Sequence, residues 1–139
     1  MLDSVVLKLI NKPLTFIAER LKKRGITKDR VTIAGFAAGI AAIPFICFHA
    51  YGVALFLIII NRISDGVDGA LARLTRPTDS GGFLDITLDF IFYSGIVFAF
   101  ALADPENNAL SSCFLIFSFM GTGSSFLAFS VMAEKNGIK

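Results

Sequence analysis

The sequence predicts an all-α membrane protein, a polytopic bundle of four transmembrane helices preceded by an amphipathic helix in the membrane interface. Three observations predict it. Hydrophobic residues make up 55% of the 139 positions and charged residues only 17%, with a mean hydropathy of +0.72; ordinary soluble domains run to roughly 45–50% and about 25%. The apolar residues gather into four long segments, each near the ~20 residues that carry a helix across a ~30 Å hydrocarbon core. The charges gather between those segments, and the basic ones fall on or toward one side of the membrane. Together these read as a single membrane domain covering 1–139.

Residues 1–23 form the amphipathic segment. Leu2, Val5, Val6 and Leu9 recur at helical spacing, and Leu14, Ile17 and Leu21 do so again. Pro13 is expected to bend the segment or divide it into two helices. A basic amphipathic stretch in so apolar a chain suits the membrane interface better than a soluble surface. The bundle, 31–133, follows. Its first apolar segment covers about 31–48, at the short end of spanning length. The second starts near Ala50 and spans the bilayer only if its polar end, near Arg73, reaches the far interface. The third covers about 83–103 and the fourth about 109–133.

Orientation comes from the basic residues. Lys8, Lys12, Arg20, Lys22, Lys23, Arg24, Lys28 and Arg30 precede the first span. The next connection, HAYG, has no Lys or Arg. Arg73 and Arg76 separate spans two and three, the DPENN connection is acidic, and Lys135 and Lys139 close the chain. Arg62 lies within the second span, one turn from its acidic end. All 13 basic residues thus fall on or toward one side, the cytoplasmic side by the positive-inside rule. No cleavable signal peptide is apparent in the charged first thirty residues. Cys47 and Cys113 lie in apolar runs and read as small buried hydrophobes. A net charge of +2 points to no nucleic-acid partner.

Between the second and third apolar segments the chain reads SDGVDGALARLTRPTDSGGFLDITLDF. Carboxylates at the edge of a transmembrane segment are costly and mark function. At 100° per residue, Asp65 and Asp68 stand about 60° apart on their helix. Asp85 and Asp89, at i and i+4, share a face of the next. A tight connection over 74–81, containing Pro77 and Gly81, would bring the two faces together. Four converging carboxylates repel one another unless cations neutralise them, and one or two hard divalent ions are the simplest neutraliser. Two such ions can clamp a diphosphate during displacement at phosphorus. Gly69 and Ala72, close to the aspartate face, either let a nucleotide approach the backbone or serve as small contacts between helices. Arg73 suits a phosphate or the helix end, although alone it reads, like Arg76, as an interfacial anchor. Asp79 reads as a solvated turn residue.

These residues resemble the signature of the CDP-alcohol phosphotransferase (phosphatidyltransferase) family, D-x-x-D-G-x-x-A-R followed by G-x-x-x-D-x-x-x-D. The first half is Asp65, Asp68, Gly69, Ala72 and Arg73; the second is Gly81, Asp85 and Asp89. Three departures stand out. Seven residues, 74–80, separate the halves, one fewer than usual. Ile26-Thr27 is followed by Lys28-Asp29 where the family often has Pro-Asn. Four spans replace the usual six, which leads us to expect a chain truncated at its C-terminus.

The resemblance implies transfer of a phosphatidyl or similar phospho-alcohol group from a CDP-alcohol, notably CDP-diacylglycerol, to an acceptor hydroxyl with release of CMP, in phospholipid biosynthesis. It makes Asp65, Asp68, Asp85 and Asp89 the metal site for two Mg²⁺ or Mn²⁺ ions, and Asp89 also the general base. Gly69, Ala72, Arg73 and Gly81 would border the CDP group. The expected setting is a bacterial inner membrane with the site facing the cytoplasm. The expected partners are membrane lipid, a CDP-alcohol and an acceptor, with a lean to glycerol 3-phosphate from Arg62, Arg73 and Arg76; a homodimer is compatible. The readings set against it are divalent-cation transport and a non-catalytic membrane protein.

Overall fold

The computed structural model describes the backbone of residues 2–75, 78–135 and 137, and the side chains of these except 2–10, 79 and 134. Arg76, Pro77 and Lys139, which figure in the sequence reading, lie outside the described residues. Five helices follow one another: α1 (Leu2–Lys23), α2 (Lys28–Cys47), α3 (Tyr51–Leu74), α4 (Asp79–Ala103) and α5 (Pro105–Lys135).

α1 runs unbroken through Pro13, so the expected division does not occur. Contacts on the turns after Pro13 hold it. Ala18 is fully buried with Ala70 and Leu71, and Leu14 and Leu74 pack around them. Lys22 Nζ donates to the Leu74 carbonyl at 2.6 Å, tying the two helix ends together. α1 therefore lies along the second half of α3, while Phe16 and Ile17 remain exposed.

α2 is the central helix. Its buried positions, Thr32, Gly35, Gly39, Ala42 and Ile46, repeat every three or four residues and are mostly small, so neighbours approach its backbone closely. α3 runs antiparallel to α2: Gly35 faces Ser64 and Asn61, and Ile46 packs with Ala54. α4 runs parallel to α2, from Lys28 beside Asp85, through Gly39 against the Phe92 ring, to Cys47 near Ala99. Among the described residues α3 and α4 make no close backbone contact with each other. The tight connection alone does not join their acidic faces; both are brought to a common volume by packing on α2. Among the described residues α5 packs on α4 alone, its Gly123 against the Phe90 ring.

α2, residues 80–103 of α4 and residues 105–133 of α5 are long and apolar enough to cross a membrane. α3 has the length, 24 residues, but carries Arg62 at its middle and Asp65, Asp68 and Arg73 in its second half. Three helices thus qualify as spans by length and composition where four were expected. In chain order α3 runs back between the parallel α2 and α4. Large apolar side chains such as Phe56, Phe98, Phe117 and Phe129 are exposed, as a lipid-facing surface requires.

Candidate metal centre

The acids meet where α2, α3 and α4 come together. Asp68 lies deepest, 1% exposed, and its Oδ2 accepts the Thr32 hydroxyl at 2.6 Å. Thr32 also lies 3.2 Å from the Lys28 carbonyl; one hydroxyl proton serves one strong bond, and the shorter, charge-assisted contact is the stronger. Asp65 stands three residues back on α3. Asp85 reaches in from α4. One carboxylate oxygen from each of Asp65, Asp68 and Asp85 lies within 4.8 Å of the others.

Two side-chain cations bracket this triad. Lys28, the first residue of α2, donates to Asp85 Oδ2 at 3.0 Å and to the Gly81 carbonyl at 3.3 Å. On the other flank, Arg62 Nη2 donates to Asp89 Oδ1 at 2.9 Å, and Nη1 lies 3.7 Å from Asp65 Oδ2. Arg62 is itself held firmly. Its Nε and Nη2 donate to Asn61 Oδ1, and Nη1 donates to the Tyr93 hydroxyl. Its guanidinium stacks 4.7 Å from the Phe92 ring centroid and 4.9 Å from that of Tyr93. Asn61, buried, is pinned in turn by donating to the Gly35 carbonyl at 3.0 Å.

The triad and Asp89 line one small cavity of about 10 Å³ with Thr32, Asn61 and Arg62. The donor set suits a hard divalent ion. Mg²⁺ binds oxygen at about 2.0–2.1 Å, which puts opposite ligands near 4.2 Å apart, the same scale as the 4.8 Å within which these oxygens lie. Asp65, Asp68 and Asp85 would hold such an ion. Asp89, also expected as a ligand, shares the cavity but has its Oδ1 on Arg62 and is not one of the converging three.

The other expected residues divide. Ala72 lines a second cavity, of about 380 Å³, together with Lys22, Thr27, Lys28, Thr75 and Thr78. Gly69 faces the exposed Arg73, whose Nη1 lies 3.7 Å from where a Cβ would stand. Gly81 is not in the connection but in the first turn of α4. Its N–H donates to Thr78 Oγ1, the helix cap, at 3.1 Å. A Cβ there would meet Thr78 Oγ1 at 2.9 Å and Asp29 Oδ1 at 3.0 Å, so packing of the first turn of α2 against the capped start of α4 demands glycine.

Sequence reasoning missed Lys28, Thr32, Asn61 and Tyr93, and read Arg62 as a phosphate ligand. Thr32 and Asn61 were findable as lone polar residues in apolar runs, and Lys28 stands one helical turn from Thr32.

The CDP-alcohol phosphatidyltransferase family model matches residues 27–139, which is α2 to the chain end with every residue of this site. The chain belongs to this family. Among relatives, it is 54% identical over 128 residues to the inner membrane protein YnjF of Escherichia coli, covering 91% of this chain and 62% of that one. It is 32% identical over 112 residues to archaetidylinositol phosphate synthase of Pyrococcus horikoshii (80% and 60% covered). It is 36% identical over 115 residues to phosphatidylinositol phosphate synthase of Streptomyces avermitilis (79% and 47%). The chain thus spans less than two thirds of the length of these relatives. No solved structure matches it. For a CDP-alcohol phosphatidyltransferase, Lys28 at the head of α2 is the departure with a visible structural consequence, its ion pair with Asp85.

Proposed function

We propose that this chain carries the catalytic half of a phosphatidyltransferase that moves a phosphatidyl group from CDP-diacylglycerol to an acceptor hydroxyl, releasing CMP. The observation behind it is the convergence of Asp65, Asp68 and Asp85 within 4.8 Å at the family's motif positions. Divalent ions held by these carboxylates would offset charge on the diphosphate and its leaving oxygen. Asp89 takes the proton from the acceptor hydroxyl as that oxygen bonds to the β-phosphorus and the bond to the CMP oxygen breaks. Arg62 occupies Asp89 Oδ1, so Oδ2 is the oxygen left for the proton.

The acceptor we propose is a phosphorylated alcohol. Arg62, one of three arginines behind the lean to glycerol 3-phosphate, is engaged with Asp89 and Tyr93. Two relatives are named as synthases of inositol phosphate lipids, which puts an inositol phosphate beside glycerol 3-phosphate. The site faces the cytoplasm in this reading, with α1 in the inner-leaflet interface and Phe16 and Ile17 toward lipid; the one-sided distribution of Lys and Arg supports it.

The test is CMP release from radiolabelled CDP-diacylglycerol by detergent-purified protein, with Mg²⁺ or EDTA and a panel of acceptors. We expect metal-dependent release that Asp89→Asn abolishes. Release that survives EDTA, or that Asp89→Asn leaves intact, would refute this assignment.

A further inference from the structure

Lys28 stands in the wall between the two cavities. Its ammonium is bound to Asp85 of the acidic cavity, yet the residue also lines the larger one. That larger cavity is suited to an anion only in part. Thr27 and Thr78 offer hydroxyls, but the Thr75 hydroxyl already donates to the Leu71 carbonyl, Asp29 also lines the cavity, and Lys22 already donates to the Leu74 carbonyl. Among the described residues lining the larger cavity, Lys28 is therefore the cation that also reaches the acidic one.

Formal charge shows why its position matters. Asp65, Asp68, Asp85 and Asp89 face Lys28 and Arg62, leaving two uncompensated negative charges. One divalent ion balances them. A second ion leaves an excess of two positive charges, which the two negative charges of a diphosphate diester balance in turn. Arg62 is fixed by Asn61, Tyr93 and two aromatic rings. Lys28 has a flexible stem and no such cage, and a lysine ammonium is a point charge that re-aims by rotating its chain.

We propose that Lys28 is a shared, exchangeable counter-ion: it neutralises Asp85 until a divalent ion takes that carboxylate, and its ammonium then binds the diphosphate of the donor in the larger cavity. This rests on the metal-dependent function proposed above. It makes the metal and the nucleotide mutually dependent, since each relieves the charge imbalance that the other creates.

The consequence is a pair of effects opposite in sign, which general loosening of the fold does not produce. The measurements are Mn²⁺ binding by electron paramagnetic resonance without nucleotide, and CDP binding by equilibrium dialysis at saturating Mn²⁺. Removing the ammonium with Lys28→Met or Lys28→Gln is expected to tighten Mn²⁺ binding about tenfold and weaken CDP binding about tenfold, the effect of one unit charge on a side chain that is 17% exposed. Lys28→Arg, which keeps the charge, is expected to stay within about threefold of wild type in both. Two neutral variants keep the test from resting on the folding of either one. If wild type binds Mn²⁺ and CDP but both effects do not appear with opposite sign, the Lys28 inference alone is overturned. If wild type binds neither, the proposed function falls with it.

Discussion

Gly39→Ala should be more damaging than the same methyl addition at Gly95 or Gly52. A Cβ at 39 would stand 2.6 Å and 2.7 Å from two ring carbons of Phe92 and 2.9 Å from Asn61 Nδ2. Neither neighbour can retreat cheaply. Phe92 is 3% exposed and lies beneath the Arg62 guanidinium; Asn61 is 5% exposed and bound to Gly35 and Arg62. Overpacking of this kind costs about 1–3 kcal/mol. Replacing any helical glycine by alanine also returns up to ~1 kcal/mol of helix propensity, so a control is needed. Gly52, near the start of α3, has nothing within 4 Å of its Cβ position, and Gly95 meets the flexible tips of Ile43, at 3.1 Å, and Ile40, at 3.9 Å. The difference between Gly39→Ala and Gly52→Ala cancels the propensity gain and isolates the clash at about 1–3 kcal/mol, with Gly95→Ala between them. Unfolding of the detergent-solubilised protein by titration with sodium dodecyl sulfate reads all three. A Gly39→Ala variant as stable as Gly52→Ala would show that α2 and α4 are not packed in this register, and the positioning argument for Arg62 would go with it.

Three further outcomes follow from the same contacts. Asp68→Asn keeps an acceptor for the Thr32 hydroxyl while removing the charge, so it should retain stability but weaken Mn²⁺ binding by about two orders of magnitude, read by calorimetry. Tyr93→Phe removes one hydrogen bond to Arg62 without touching the triad; kcat for CMP release should fall by no more than about tenfold, with Mn²⁺ affinity unchanged. His49 closes α2 at φ 60°, a conformation that disfavours a Cβ; His49→Gly should leave stability unchanged or raise it by up to about 1 kcal/mol in thermal unfolding.

The helices and the acid cluster were legible because both write themselves into local spacing. Apolar run length marked α2, α4 and α5, and the i, i+3 and i, i+4 aspartates marked the faces that converge. The bracing around the acids was not legible in the same way. Asn61, Arg62 and Tyr93 come from two helices and meet through a third, and their partnership depends on how far α3 and α4 rotate about α2. That helix is apolar nearly all round, so hydrophobic periodicity does not reveal its buried face. Its small residues do: Gly35 and Gly39, four apart, mark the stripe that takes Ser64, Asn61 and Phe92. Pro13 does not divide α1, one of the two outcomes its ring makes possible, and the Ala18–Ala70–Leu71 contacts hold the turns that follow it.

The failure of α3 to qualify as a span on composition and the presence of a site upon it are one fact. Asp68 and Asp65 lie six and nine residues before the end of α3 at Leu74, about 9 Å and 14 Å along the axis. Asp85 and Asp89 lie six and ten residues after the start of α4 at Asp79, about 9 Å and 15 Å in. The two pairs therefore sit at matching depth from the same end of the bundle, short of the ~18 Å midpoint of a helix as long as α3. Placing them there costs α3 its apolar second half, and the burial of Asp68 at 1% exposure is tolerable because Thr32, Lys28 and Arg62 supply hydrogen bonds and charge around it. The same three residues thus serve the stability of the acid cluster.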